Sequence, residues 1–243
     1  MSFAPSLSPM PSPATQKIIV ALDAPDADSA LRLAGPLMDT GCLFKIGLQL
    51  FTAEGPAVVR RFREAGARVF LDLKFHDIPN TAREAICSIL PLDVEMTTIH
   101  LAGGPDMVAA SIGAARDTRL LVLGVTVLTS MDAPNLSSTG VTRSPEEQVL
   151  GLAGMGVSKG LRGVVASPLE IVPLRKRFGR DLVIVTPGVR PPGADRGDQK
   201  RVLTPAEAVA AGADYLVVGR PVTSASAPRD ALLRIAETLD TAS

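Results

Sequence analysis

Charge of one sign is what this sequence most plainly lacks. Lys+Arg and Asp+Glu each number 25, so the formal net charge is zero and the pI lies near 6.7. A general nucleic-acid footprint needs a basic excess, and there is none. Any anionic ligand must therefore be held by a few placed cations and backbone donors. Cysteine is scarce as well. Cys42 and Cys87 both stand in apolar surroundings and read as small core residues of a reduced compartment, not as a disulfide. No apolar run approaches the roughly 20 residues that a membrane-spanning helix requires. The opening MSFAPSLSPMPSPAT has neither a positive charge nor a continuous apolar core. It makes a poor signal peptide, and residues 1–15 read as a disordered extension of a cytoplasmic protein.

Several catalytic signatures are missing too. There is no G-x-G-x-x-G after Leu22, where the chain runs Asp23-Ala-Pro-Asp26, and no Walker sequence or G-x-S-x-G elbow. The two histidines, His76 and His100, are not at metal-ligand spacing, and neither cysteine has a histidine close in sequence. Dinucleotide, metal-ligand and nucleophile chemistry are thereby set aside, leaving Lys and Asp side chains to act. His100 reads as a hydrogen-bonded strand end.

What is present is an alternation of short apolar runs with longer amphipathic stretches. Strands are predicted at Lys17–Leu22, Leu43–Ile46, Arg68–Leu73, Met96–His100, Leu120–Val127, Gly163–Ala166, Leu182–Thr186 and Tyr215–Val218. Several are continuous Ile/Val/Leu runs, as expected of strands buried on both faces of a parallel sheet. Helical patterns between them include Ala27–Met38, Pro56–Ala65, Thr81–Leu90, Asp106–Arg116, Glu146–Met155, Pro168–Phe178 and Pro205–Ala211. Eight βα units in unbroken alternation predict a single (β/α)8 TIM barrel over 16–243. The runner-up, a doubly wound open sheet, has fewer units and a Gly-rich first turn. The Pro/Gly-rich segment Pro187–Lys200 follows the seventh strand and reads as a long loop on the active face, where long loops are commonly lids or binding loops.

Polar groups gather at the C-terminal strand ends, the catalytic face of such a barrel. Asp23, Lys45, Asp72 with Lys74, and His100 end the first four strands, and Thr129 follows the fifth. Arg190 follows the seventh, and Gly219 with Arg220 ends the eighth. Any one of these alone would read as a solvated strand end; together they predict a site. Alternation along the third strand puts Asp72 and Lys74 on one side. Asp77 stands at the start of the next helix, either as a cap or as the fourth member of a Lys45–Asp72–Lys74–Asp77 array, with Pro79 in the first turn. Thr186-Pro-Gly188-Val-Arg190 and Val218-Gly219-Arg220-Pro221 suit an anion, since barrel enzymes often bind phosphate after strands seven and eight. Gln199 is suited to contact a ligand from the far end of the Pro/Gly-rich loop.

The run Phe70-Leu-Asp72-Leu-Lys74-Phe-His-Asp77-Ile-Pro79-Asn-Thr81 resembles the signature of the orotidine 5'-monophosphate decarboxylase family. The resemblance extends through Ile19–Asp23, Phe44–Gly47, Val125–Met131, Val185–Arg190, Gly197–Gln199 and Tyr215–Thr223. D-x-K-x-x-D is shared with sugar-phosphate enzymes of the same superfamily. Ile78-Pro79-Asn80-Thr81, Leu128-Thr129-Ser130 and the paired anion loops make the resemblance specific.

The resemblance implies a decarboxylase acting on orotidine 5'-phosphate in pyrimidine biosynthesis, without cofactor or metal. It implies that Lys74 protonates C6 of the pyrimidine and that Asp72 lies beside the departing carboxylate. Lys45 and Asp23 would orient the ribose hydroxyls, and Thr129 would contact the ring region. Arg190, Gly219 and Arg220 would hold the phosphate, with Gln199 closing over it. Asp77 and Thr81, flanking Ile78 in the substrate-binding set, would reach the neighbouring subunit's site in a homodimer. Two alternatives stand beside this: a metal-dependent sugar-phosphate decarboxylase or aldolase of the same superfamily, and a catalytically silent phosphate-binding barrel.

Overall fold

The computed structural model describes residues 12–190 and 203–240. Eight strands, β1 (Ile18–Leu22), β2 (Leu43–Gly47), β3 (Arg68–Phe75), β4 (Met96–His100), β5 (Leu121–Val125), β6 (Gly163–Val165), β7 (Val183–Pro187) and β8 (Tyr215–Val218), close into one barrel. Every neighbouring pair is parallel and the order around the barrel follows the chain, with β8 pairing back onto β1. This is the expected (β/α)8 architecture.

Two apolar layers explain why the strands read as continuous hydrophobic runs. One parity along each strand, including Ile18, Val20, Phe44, Ile46, Val69 and Leu71, packs outward against the helices. The other parity, including Ile19, Leu43, Phe70, Met96, Leu123 and Val185, fills the barrel interior. The register links the inward positions: Leu43 lies beside Ile19, Lys45 beside Ala21 and Phe70, and Asp72 beside Gly47. Lys45 and Asp72 therefore continue the interior stack upward, where it changes from apolar to charged.

The strand bounds differ from the sequence reading in two informative places. β5 ends at Val125 instead of running to Val127. β3 runs on to Phe75, past the expected end at Leu73. Its pairing with β4 goes from Leu71 opposite Thr97 to Phe75 opposite Ile99, so β3 spends four steps where β4 spends two. That bulge contains Asp72 and Lys74, and Lys74 has φ 51, in the left-handed region. Plain alternation is not what brings the two side chains together. The bulge does, by re-aiming the strand end.

Three helical starts repeat one local device. Ser144-Pro-Glu-Glu147, Ser167-Pro-Leu-Glu170 and Thr204-Pro-Ala-Glu207 each form a capping box. The hydroxyl residue caps the turn, proline supplies its preset φ, and the glutamate returns to the cap's own N–H. Among the described residues, four helices go beyond those singled out in the sequence: Leu48–Glu54, Ala133–Ser138, Arg220–Thr223 and Pro228–Asp240. The last buries Leu232, Ile235, Ala236 and Leu239.

Residues 1–11 of the expected extension lie outside the described residues. Ala14 and Thr15 are buried, and the Thr15 hydroxyl lies 2.7 Å from the Ser12 carbonyl and 2.5 Å from the Thr40 carbonyl. Both cysteines are free thiols, and burial pushes the Cys42 thiol up to about 11. Among the described residues no helix is long and apolar enough to cross a membrane.

Candidate active site

At the C-terminal end of the barrel, the interior layer closes on a cleft of about 160 Å³. Phe70, Val125, Val165 and Val217 are among its apolar walls; Lys45, Asp72, Lys74 and Thr129 bring the polar groups, with Val127, Leu128 and Pro187 completing the lining. Asp72 is its electrostatic centre and is buried. The Lys74 ammonium donates to both Asp72 oxygens, at 2.9 and 3.0 Å. Lys45 Nζ stands 3.7 Å from Asp72 Oδ2 and 3.7 Å from Asp23 Oδ1. A carboxylate this buried would be costly if unpaired; two ammonium groups offset that cost.

Thr98, fully buried on β4, ties the array to the backbone. Its hydroxyl donates to Asp72 Oδ1 at 2.9 Å and accepts the backbone N–H of Lys74 at 2.8 Å. One side chain thus fixes the carboxylate and the unusual backbone turn of the lysine. The sequence reading passed over Thr98, although it shares β4's inward parity with His100. Gly47 was passed over too: a Cβ there would lie 2.9 Å from Lys45 Nζ, so the missing side chain makes room for the ammonium.

The four-membered array differs from the expected one at one end. Within a single chain it runs Asp23–Lys45–Asp72–Lys74, and Asp77 is not part of it. The Asp77 carboxylate is exposed and accepts the N–H of Ile78 at 2.7 Å, while Ile78 itself occupies the cap position of the helix Pro79–Ile89. Asp77 therefore sits one residue before the cap. Ile78, 67% exposed, and Thr81, also exposed, lie outside the cleft lining.

The anion-loop residues are described except for Gln199 and most of Pro187–Lys200, which lie outside the described residues. Gly188 follows β7 with φ 79, a conformation suited to glycine. The backbone N–H of Arg190 donates to the Leu203 carbonyl at 3.0 Å. After β8, Gly219 precedes the turn Arg220–Thr223. Among the described residues, a Cβ at Gly219 would meet only Ala21, at an ordinary 3.7 Å, so the packing of those residues leaves room at this backbone.

His100 and His76 stack beside the array, with ring centroids 5.2 Å apart and planes inclined by 18°. His100 Nδ1 accepts the N–H of Ala102, in agreement with its reading as a hydrogen-bonded strand end. Burial, then the neighbouring His76 and Lys74, hold its pKa below the ordinary histidine value.

A larger cleft of about 460 Å³ opens at the opposite end of the barrel, at the starts of β5 and β6. Its cations Arg116, Lys159 and Arg162 include two that follow the helices Gly104–Ala114 and Pro145–Ser158, where the C-terminal dipole favours positive charge. It holds none of the converging polar residues described above.

The chain's residues 16–235 match the family model described as orotidine 5'-phosphate decarboxylase / HUMPS family. Orotidine 5'-phosphate decarboxylase of Moorella thermoacetica is 48% identical over 235 residues, covering 93% of each chain. The protein of that name from Halorhodospira halophila is 49% identical over 229 residues, covering 93% of this chain and 97% of its own. Among solved structures, orotidine 5'-phosphate decarboxylase from Lactobacillus acidophilus superposes with a TM-score of 0.81 at 33% identity, covering 92% of this chain and 98% of that one.

Proposed function

The chain belongs to the orotidine 5'-phosphate decarboxylase / HUMPS family and is a carboxy-lyase, and we propose that it converts orotidine 5'-phosphate to uridine 5'-phosphate and CO2 without a cofactor. The reaction would be the last step of pyrimidine nucleotide synthesis. The observation that carries the reading is the buried Asp72 carboxylate held between the ammonium groups of Lys74 and Lys45.

The chemistry follows from that array. When the bond from C6 to the carboxylate breaks, CO2 departs and the electron pair stays on C6 as a vinyl carbanion that the ring delocalises poorly. An ammonium already fixed beside that carbon stabilises the developing charge and then donates its proton. We assign that donation to Lys74, which afterwards regains a proton from solvent. Asp72 holds the lysine in place, and its own negative charge beside the substrate carboxylate disfavours the ground state.

Lys45 and Asp23 would orient the ribose hydroxyls, and Thr129, at the cleft wall, would meet the ring region. Gly219, Arg220 and Arg190 would hold the phosphate far from the reacting carbon, where its binding energy can be used for alignment. Asp77 and Thr81 would complete the site of a second copy in a homodimer. Their exposure, with Ile78 between them, supports that assignment.

The metal-dependent sugar-phosphate alternative needs a divalent cation at the shared D-x-K-x-x-D run. Here both Asp72 oxygens already receive the Lys74 ammonium and one receives the Thr98 hydroxyl, which favours chemistry led by lysine. The deciding experiment follows the absorbance of orotidine 5'-phosphate with the protein in excess chelator. Turnover is expected; no change in absorbance overturns the assignment.

A further inference from the structure

The chain has two histidines, and the proposed reaction uses neither. They nevertheless meet at the exit of the β3 bulge. Entry and exit of that bulge are both held by β4. At the entry, Thr98 accepts the Lys74 N–H and donates to Asp72. At the exit, the next inward position of β4 is His100, whose ring stacks on that of His76, the residue after β3 ends. Lys74 lies between these two attachments in the left-handed conformation, which a lysine keeps only where its surroundings impose it.

His76 is exposed and His100 half-buried, so the stack lies at the surface, and contacts from the neighbouring turn and helix fit it. On the outer side, a Cβ at Gly103 would come within 3.1 Å of His76 Cδ2 and 2.3 Å of Met107 Sδ, so the ring uses space that a larger residue would fill. On the inner side, His100 Nδ1 accepts the Ala102 N–H, which leaves the proton of the neutral ring on Nε2.

We propose that the His76–His100 stack is a positioning clamp that holds the end of the bulge, keeps the Lys74 ammonium on Asp72, and works while the pair carries no more than one proton. The clamp rests on the reading of Lys74 as the proton donor. His76 and His100 act on the reaction through Lys74 and are positioning residues.

The surroundings supply the pH dependence. The titratable groups bearing on His100 are His76 and Lys74, both cationic when protonated. The helix Gly104–Ala114 brings Met107 to the cluster, and Asp106, the acid in its first turn, is exposed. The Asp77 carboxylate is bonded to the Ile78 N–H. A second proton would thus place two imidazolium rings face to face beside an ammonium. At acid pH the stack separates, the bulge loosens, and kcat falls. KM, set mainly by the phosphate and ribose contacts, follows the ionisation of the substrate phosphate at pH ~6, alike in parent and variants.

The test measures kcat and KM for orotidine 5'-phosphate across acid to neutral pH in the intact protein, His76→Phe and His76→Ala. Phenylalanine keeps a flat ring that takes no proton. His76→Phe is expected to hold kcat near the parent value at neutral pH and to lose the acid limb. His76→Ala is expected to lose about tenfold or more in kcat at every pH with KM nearly unchanged, the size that a small misalignment of a reacting group produces. An acid limb in His76→Phe at the parent's position overturns the clamp, as does full kcat in His76→Ala. If His76→Ala does not fold, the His76→Phe profile decides alone. A parent protein without turnover overturns the underlying assignment and the clamp with it; an active parent whose variants do not differ from it overturns the clamp alone.

Discussion

Replacing Thr98 by valine removes one hydroxyl with almost no change of shape, and that hydroxyl has two jobs. It donates to Asp72 Oδ1 at 2.9 Å and accepts the Lys74 N–H at 2.8 Å, in a side chain with no solvent exposure. Asp72 keeps its contacts to Lys74 and Lys45, so its loss is one hydrogen bond to a charged acceptor. The Lys74 N–H loses its acceptor at the point where the backbone is strained. A hydrogen bond to a charged group contributes about 1.5–3 kcal/mol, and an orphaned buried donor costs about 1–3 kcal/mol. Allowing for partial relaxation, the variant should unfold with about 2–4 kcal/mol less stability. The expected signature in urea is a lower midpoint at unchanged slope. Because the same hydroxyl fixes the lysine that is to donate the proton, kcat should also fall, by about 10- to 100-fold. A stability change within about 0.5 kcal/mol, the range of an inconsequential surface substitution, together with unchanged kcat would refute the reasoning. Lost stability at full kcat would confine Thr98 to a structural role.

Lys74→Ala should abolish decarboxylation while leaving a folded protein with the parent's circular dichroism; substantial residual turnover rules out the proton-donor role. Mixing Lys74→Ala with Asp77→Ala protein should restore part of the activity, because a hybrid pair contains one site with both residues intact. If subunit exchange is demonstrated and no activity returns, the shared-site assignment is wrong. Gly47→Ala should raise KM for orotidine 5'-phosphate and cost some stability, since the new Cβ would lie 2.9 Å from Lys45 Nζ and push that ammonium away from Asp72. Burial pushes the Cys42 thiol up to about 11 from its ordinary 9.0, so the folded chain holds that proton more tightly than the unfolded one. Its contribution to stability is therefore full below pH 9 and is lost as pH rises toward 11, which alkaline urea titrations of the parent and Cys42→Ala would separate. At neutral pH a thiol reagent should modify the half-buried Cys87 first and reach Cys42 only on unfolding.

The barrel was legible because strands buried on both faces leave continuous Ile/Val/Leu runs, and these predicted all eight strands to within a few residues. Lys45, Asp72, Lys74 and Thr129 were legible as a group because charges at strand ends have no place in an apolar core. The bulge was not. Asp72-Leu-Lys74 looks like ordinary alternation, and a lysine with positive φ is imposed by tertiary contacts that leave no local mark. Thr98 escaped because threonine is common in strands, so its role appears only once β3 lies beside it. Asp77 stood open between a helix cap and a place in the array, with only the family resemblance pointing it to a neighbouring site, because sequence spacing does not reveal where a loop turns its side chains. Gly47 stood beside Lys45 unnoticed, since a glycine's purpose is defined by the neighbour it spares.

The array at the barrel mouth has alternating formal charges, Asp23, Lys45, Asp72 and Lys74, that sum to zero. A neutral chain of alternating charges is a multipole, and its potential falls off with distance far faster than that of a single ion. Screening by solution ions then leaves almost nothing of it beyond about 8–10 Å. An approaching anion is neither drawn in nor repelled by this array. At contact distance, above an apolar floor, the same charges act at full strength on whatever lies against them. On the proposed reading, capture and transformation fall to different electrostatic elements of one barrel. Added salt should weaken the first, through Arg190 and Arg220, while leaving the second almost untouched.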